Sequence, residues 1–89
     1  MTHKMSYLVP VVRDNIRIGM HTLYVPPAIQ KYYAENDRIK MDAAHDQWSK
    51  YVVIVSFRDR GAIIFCDCLM PSGKVEIIGE KALFLPGTE

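Results

Sequence analysis

Side chains able to do chemistry are present in this chain, but their spacing matches no catalytic pattern. The chain holds two cysteines, four serines and the histidines His3, His21 and His45. Nucleophilic catalysis needs a Ser or Cys within hydrogen-bond reach of a base that a third group orients. No serine has glycines on both sides, and the sequence has no phosphate-binding glycine loop or metalloprotease helix motif. We therefore predict no catalytic residues; an unrecognised small enzyme ranks third among the functions considered.

Cys66 and Cys68 could bind a metal if His21 or His45 completed the ligand set. A C-x-C pair on one strand face can chelate, but structural zinc sites usually present C-x2-4-C spacings on turns. The same strand geometry holds the two Cβ atoms too far apart for an easy disulfide. Because Cys behaves as a small buried hydrophobe, we predict two reduced thiols on an apolar face, with no metal and no cofactor.

Asp67 lies between the cysteines, in a segment that is otherwise apolar. On an alternating strand it shares a face with Ile63, Phe65 and Leu69. A carboxylate there must either pair with a cation or face solvent. We therefore predict that this face points outward, and that Phe65, Asp67 and Leu69 form a surface for a binding partner.

Aromatic and basic residues supply further candidates for that surface. Tyr32 and Tyr33 are adjacent in a helical pattern and point about 100° apart, so one of them is expected to be partly exposed. Trp48 near the end of the pattern is expected to be a core residue, yet exposed Tyr, Trp and Arg dominate protein interfaces. We therefore add Tyr33, Trp48, Arg58 and Arg60 to the predicted partner-binding residues.

Nucleic-acid binding is the alternative function, since it requires a basic surface interleaved with aromatic side chains. Arg58 and Arg60 flank one predicted turn and Lys74 lies at another. Asp59 and Glu76 are interleaved with these cations. A mixed, solvated surface explains this pattern, so nucleic acid ranks below a protein as the expected partner.

The composition describes one small, near-neutral globular domain spanning residues 1–89. Hydrophobic residues make up 49% of the chain and charged residues 24%, and the formal net charge is +1. A membrane span would need about 20 continuous apolar residues, which the chain lacks. Pro10 interrupts the apolar run at residues 5–12 and no cleavage pattern follows it, so we expect no secretory signal, no membrane partner and a cytoplasmic location.

The N-terminal half predicts two strands and a helix. Residues 5–12 and 16–25 alternate in hydropathy, and the polar residues 13–15 between them predict a hairpin. Pro26 and Pro27 end the second strand and suit a helix start. From residue 28 to about 51 the apolar spacing is helical, which indicates one long helix or two short ones with a break at 35–37.

The C-terminal 39 residues predict a meander of strands. Residues 51–57 and 62–70 are rich in β-branched and aromatic side chains and are joined by a turn that ends in Gly61. A second turn at 70–74 leads to a strand at 75–78, and a short strand follows at 82–85.

This order, ββαβββ, predicts an α+β fold: a small antiparallel, SH3-like or partly open β-barrel or sheet, with one helical segment between strands 2 and 3. The glycine turn, paired strands and final strand ending in Leu-Pro-Gly resemble SH3-like and KOW-type barrels over about 40 residues. By elimination we expect a small non-enzymatic protein-binding domain, such as a virus- or phage-type accessory or inhibitor protein that occupies a surface of a larger partner. An SH3-like nucleic-acid-associated module is the alternative. An exposed edge strand would also permit a homodimer.

Overall fold

The computed structural model describes residues 6–88, which form an antiparallel sheet with one short α-helix. His3 and the first residue of the predicted N-terminal strand, Met5, lie outside the described residues. The strands are β1 (Ser6–Pro10), β2 (His21–Tyr24), β3 (Ala34–Glu35), β4 (Arg38–Lys40), β5 (Lys50–Asp59), β6 (Ile64–Leu69), β7 (Val75–Gly79) and β8 (Leu83–Thr88). The helix α1 spans Pro27–Tyr33, and 3-10 helices span Met41–His45 and Glu80–Ala82. The predicted small α+β domain, rich in antiparallel strands, is confirmed.

The strands lie in the order β3-β4-β1-β8-β2-β5-β6-β7. In a flat sheet, β7 and β8 would be four strand spacings apart, about 19 Å. Only the three residues Glu80–Ala82 connect them, and this link reaches about 14 Å at most. The sheet must therefore curl, which brings the end of β7 toward the start of β8. No helix among residues 6–88 is long and apolar enough to cross a membrane.

The predicted hairpin between the first two strands is wrong. β1 pairs with β4 and β8, whereas β2 pairs with β5 and β8, so β8 lies between β1 and β2. The polar residues do form a local turn, in which the Val12 amide donates to Asn15 Oδ1 at 2.8 Å. However, Val11 and Ile16 are buried on either side of it. The segment between β1 and β2 therefore packs over the core and does not join two neighbouring strands.

The predicted helical segment begins as expected, but beyond Tyr33 only the 3-10 helix Met41–His45 is helical. Proline occupies the first helical turn as expected, but β3 and β4 form a hairpin where the helix was expected to continue or restart. Asn36 and Asp37 have φ angles of 51° and 63°. These are the conformations of a two-residue hairpin turn, which Asn and Asp tolerate better than most residues. The predicted break at 35–37 is therefore a reversal of the chain.

The C-terminal hairpins are confirmed. β5 pairs with β6 and β6 with β7, and both turns contain a glycine with positive φ, Gly61 and Gly73. The register of β5 on β6 shifts between Ile54 and Ser56. This bulge turns Ser56 toward the same face as Asp67, its partner on β6.

Buried side chains form two clusters on opposite faces of the sheet. The neighbours Leu83 and Phe84 on β8 belong to different clusters, as alternation requires. Phe84 lies with Leu23 in the cluster beneath α1, to which Ile29 and Tyr33 contribute partly buried side chains. The other cluster fills the concave side of the curled sheet, and its members are Val11, Ile16, Val52, Ile54, Ile64, Cys66, Cys68, Met70, Ile78 and Leu83.

Candidate functional site

The outer face of β5, β6 and β7 is an exposed surface rich in apolar side chains. It continues the face that α1 covers, because Leu23 beneath the helix pairs with Tyr51 of β5. From Tyr51 onward the outward side chains are exposed or half-buried; Val75 and Ile77 are 57% and 62% exposed, whereas Val53 is half-buried. We call this surface the β5–β7 face and define it by Tyr51, Val53, Ser56, Arg58, Phe65, Asp67, Leu69, Val75 and Ile77. Large contiguous patches of exposed apolar surface are uncommon on monomeric proteins and mark interaction sites.

Strand β6 places three predicted partner-binding residues on this face. Phe65 and Leu69 are 37% and 39% exposed and Asp67 is half-buried, whereas Cys66 and Cys68 are fully buried. The prediction that Asp67 points outward together with Phe65 and Leu69 is therefore correct. The physical reason is the two-residue period of a strand, one side of which fills the concave core.

Asp67 is the centre of a polar cluster within the apolar face. Its Oδ2 accepts a hydrogen bond from the Ser56 hydroxyl, and its Oδ1 lies 3.1 Å from Arg58 Nη2. The Ser56 hydrogen bond and the charge of Arg58 hold the pKa of Asp67 below its usual range against partial desolvation. Arg58 also pairs with Phe65 across the two strands. The carboxylate is therefore ionised, oriented and partly neutralised without a binding partner.

The tip of the β5–β6 hairpin is held by a second ion pair. Arg13 donates to both carboxylate oxygens of Asp59, at 2.7 and 2.8 Å, and to the Gly61 carbonyl at 2.8 Å. The Arg13 hydrogen bond and the Gly61 amide lower the pKa of Asp59. Arg60 is exposed at the same tip. Two arginines of this region, Arg13 and Arg58, are therefore paired with carboxylates, which reduces the positive charge available to a polyanion.

Tyr33 and Trp48 lie elsewhere, around Asp46. The Tyr33 hydroxyl donates to Asp46 Oδ2 at 3.1 Å, and the Trp48 amide donates to Asp46 Oδ1 at 2.7 Å. Partial desolvation and the Asp46 hydrogen bond raise the pKa of Tyr33. Tyr32 is 79% exposed, as expected for one of the two adjacent tyrosines, but the expectation that Trp48 belongs to the core is wrong, since it is 61% exposed. The helix predicted to contain Trp48 ends at Tyr33, and Trp48 lies in a loop instead.

The two cysteines are free and buried, as predicted. Desolvation raises the pKa of Cys66 to about 11 and that of Cys68 to about 12. His21 is exposed and pairs with Val53 on the outer face, so its ring lies on the other side of the sheet from the thiols. Within residues 6–88 no three His, Cys, Asp or Glu side chains are grouped to hold a metal ion.

Sequence reasoning missed the contribution of β7 and of one end of β5. Val75 and Ile77 pair with Leu69 and Asp67, so they extend the same face, and Tyr51 completes it on the other side. The alternation of Val75, Glu76 and Ile77 after a tight turn was the available signal. A groove of about 390 Å³ borders the face near α1; its lining residues are Pro27, Gln30, Ile63, Phe65, Gly79, Lys81 and Ala82.

No protein-family model, curated protein or solved structure matches this chain.

Proposed function

We propose that this protein is a small binding domain that docks on a larger protein partner through the β5–β7 face. The observation that carries the proposal is the exposed apolar surface that Tyr51, Phe65, Leu69 and Ile77 form across three strands. Burying apolar area is worth roughly 25 cal/mol per Å². Binding of a partner to this surface would release that free energy, and the surface is already ordered before the partner binds.

The polar cluster gives this surface its specificity. Ser56 and Arg58 orient the Asp67 carboxylate before binding, so little side-chain entropy is lost when a partner covers it. A partner that buried Asp67 without offering a hydrogen-bond donor would leave part of a charge unsatisfied. The fitting partner is therefore a folded protein with an apolar patch and a donor group near its centre, and an accessory or inhibitory effect follows from occupying that patch.

We also propose that five of the strands form an SH3-like barrel. The support is their neighbour order, β8-β2-β5-β6-β7, and the 3-10 turn Glu80–Ala82 that returns the chain from β7 to β8 beside β2. Residues 25–49, which hold α1, β3 and β4, are then an insertion between the first two barrel strands. The β5–β7 face lies on the three strands that form two consecutive hairpins.

The test is an affinity capture experiment. The protein is immobilised and exposed to a lysate of the organism that encodes it, and the captured partner is identified and quantified by mass spectrometry. Leu69→Glu places a charge in the middle of the face, and we expect it to reduce the captured partner at least tenfold. Ile18→Glu is the matched control, because Ile18 is 66% exposed in the segment before β2 and outside the face. Both variants should keep the circular dichroism spectrum and the Tm of the parent protein.

Equal capture by the Leu69→Glu variant and the parent protein would refute the proposed surface. Loss of the captured material after nuclease treatment would favour the nucleic-acid alternative instead.

A further inference from the structure

Strand β7 is an edge of the sheet, and no other strand among residues 6–88 pairs with its outer backbone groups. Among the described strands it pairs only with β6. The Met70 amide donates to the Lys74 carbonyl at 2.8 Å, so the backbone of Lys74 points toward β6. Along an antiparallel strand, the backbone N–H and C=O groups of successive residues point alternately to one side and to the other. The N–H and C=O groups of Val75, Ile77 and Gly79 therefore point away from the sheet.

This edge carries few of the features that protect edge strands from pairing. Natural sheets protect such edges with proline, bulges, short strands or charged side chains. β7 has five residues, no proline and a regular register on β6. Its one charged residue, Glu76, alternates with the exposed side chains Val75 and Ile77. The opposite edge of the sheet, β3, has only two residues.

We infer that β7 pairs with β7 of a second copy of this chain, antiparallel and about a two-fold axis that passes between the two Ile77 residues. This register places Val75 opposite Gly79 of the second copy and pairs all five residues of each strand. All three outward-pointing backbone positions then lie in hydrogen-bonded pairs.

Charge selects this register over its two neighbours. The neighbouring registers that also keep matching faces together have their two-fold axes at Glu76 and at Ile78. An axis at Glu76 would place this carboxylate opposite its own copy, and an axis at Ile78 would place it opposite Glu80 of the second copy; both like-charge pairs are destabilising. An axis at Ile77 places Lys74 opposite Glu80 of the second copy, and this opposite-charge pair occurs twice. Lys74 is exposed, and Glu80 is half-buried at the strand end, where its Oε1 accepts a hydrogen bond from the Ile64 amide at 3.4 Å.

The dimer would join two β5–β7 faces into one surface, with Ile77 beside Ile77 of the second copy at its centre. Its remaining edges would be the two-residue β3 strands, which end in the Asn36–Asp37 turn. Assembly therefore stops at two copies and does not continue into a filament. This inference goes beyond the proposed function, because it concerns the edge of the sheet and a second copy of the chain.

The test is sedimentation equilibrium of the full chain from micromolar to millimolar concentration, with charge reversals at the paired positions. The parent protein, 10.2 kDa as a monomer, should approach twice that mass. Lys74→Glu and Glu80→Lys should each weaken dimerisation on the order of tenfold, because two attractive pairs become repulsive. An equimolar mixture of the two variants should dimerise as the parent protein does. In the mixed dimer, the carboxylate at position 74 of one variant lies opposite the ammonium group at position 80 of the other.

Ile77→Lys should abolish the dimer by placing two cations side by side, whereas Ile18→Lys should leave it intact. A monomer at millimolar concentration would overturn the inference. A dimer that persists in both charge reversals, or that the mixture of variants does not restore, would overturn it as well. Because Leu69 lies on the face and not at the edge, capture of a partner by the parent protein and its loss in Leu69→Glu would stand even if no dimer formed.

Discussion

At the scale of single residues, the core that residues 6–88 form contains a threonine hydroxyl without a hydrogen-bond partner. Thr22 on β2 is fully buried opposite Val52, and its Oγ1 has no partner among the described residues. An unsatisfied buried hydroxyl opposes folding, because water hydrates it in the unfolded chain. A valine side chain, which has nearly the same shape as threonine, should therefore fit at position 22.

Replacing this hydroxyl should stabilise the protein. We expect Thr22→Val to raise the free energy of unfolding by about 1 kcal/mol, as measured by urea unfolding. The reciprocal change, Val52→Thr, is the control and should lower stability by about 1–3 kcal/mol, since it buries a second hydroxyl. A loss of stability in Thr22→Val would show that Oγ1 is satisfied in solution.

The buried thiols make stability depend on alkaline pH. Desolvation raises the pKa of Cys66 to about 11 and of Cys68 to about 12, from an ordinary value of 9.0. The folded state therefore holds these protons where the unfolded state releases them, so the free energy of unfolding should fall as pH rises from about 9 toward 11. The Cys66→Ala, Cys68→Ala double variant should lack this component of the fall.

Thiol reactivity gives an independent measurement. Because the thiolate is the reactive form, an aromatic disulfide reagent at pH 8 should modify neither cysteine in the native protein and both in urea. Rapid modification under native conditions would contradict the burial of these side chains.

At the scale of secondary-structure elements, the segment after α1 shows how one turn redirects the chain. Ile39 keeps its apolar role and is buried, but it does so on β4 and not on a helix. Asn36 and Asp37 reverse the chain with positive φ angles, and β4 then adds to β1. The periodicity of apolar residues was compatible with both outcomes, and the pairing with β1 decided between them.

This turn predicts a stabilising substitution. Glycine adopts positive φ without the steric penalty that Asp meets, so Asp37→Gly should raise the free energy of unfolding by about 0.5 kcal/mol. Asp37→Val should lower it by at least about 1 kcal/mol, because a β-branched residue is strongly disfavoured in this region. Chemical denaturation of the two variants measures both effects, and the reverse order of stability would exclude this turn geometry.

At the scale of the whole molecule, charge is balanced locally as well as in sum. The net charge is +1, and two arginines near the proposed surface are paired, Arg13 with Asp59 and Arg58 with Asp67, while Arg60 is exposed at the hairpin tip. Counterion release from a polyanion requires unpaired cations. This pairing supports the proposed protein partner over a nucleic acid.

The charge pairing predicts weak binding to nucleic acid. We expect no saturable change in fluorescence anisotropy when a labelled single-stranded oligonucleotide is titrated with protein at about 50 mM salt, the lower end of the range in which polyelectrolyte effects are strong. Asp59→Asn with Asp67→Asn should increase binding, because it frees both arginines. Tight binding by the parent protein with a steep salt dependence would instead support the nucleic-acid alternative.

Some features were predictable because they depend only on residues near one another in the chain. The alternation of Phe65, Cys66, Asp67 and Cys68 was enough to assign an outward and an inward face of β6, and glycine turns were enough to predict the C-terminal hairpins. These pairings close short loops, so the local pattern determines them.

Only the tertiary structure decided where β8 lies, that α1 covers just one end of the outer face, and that Trp48 is exposed. β8 separates β1 from β2, although it begins 59 residues after the end of β2 and 73 after the end of β1, and no local pattern specifies so distant a partner. The sequence by itself determined which side chains of β6 face outward. The curled sheet determined that β5 and β7 extend that face and that the face is exposed. The physical reason is that long-range strand pairing and the burial of two separate clusters depend on the whole chain at once.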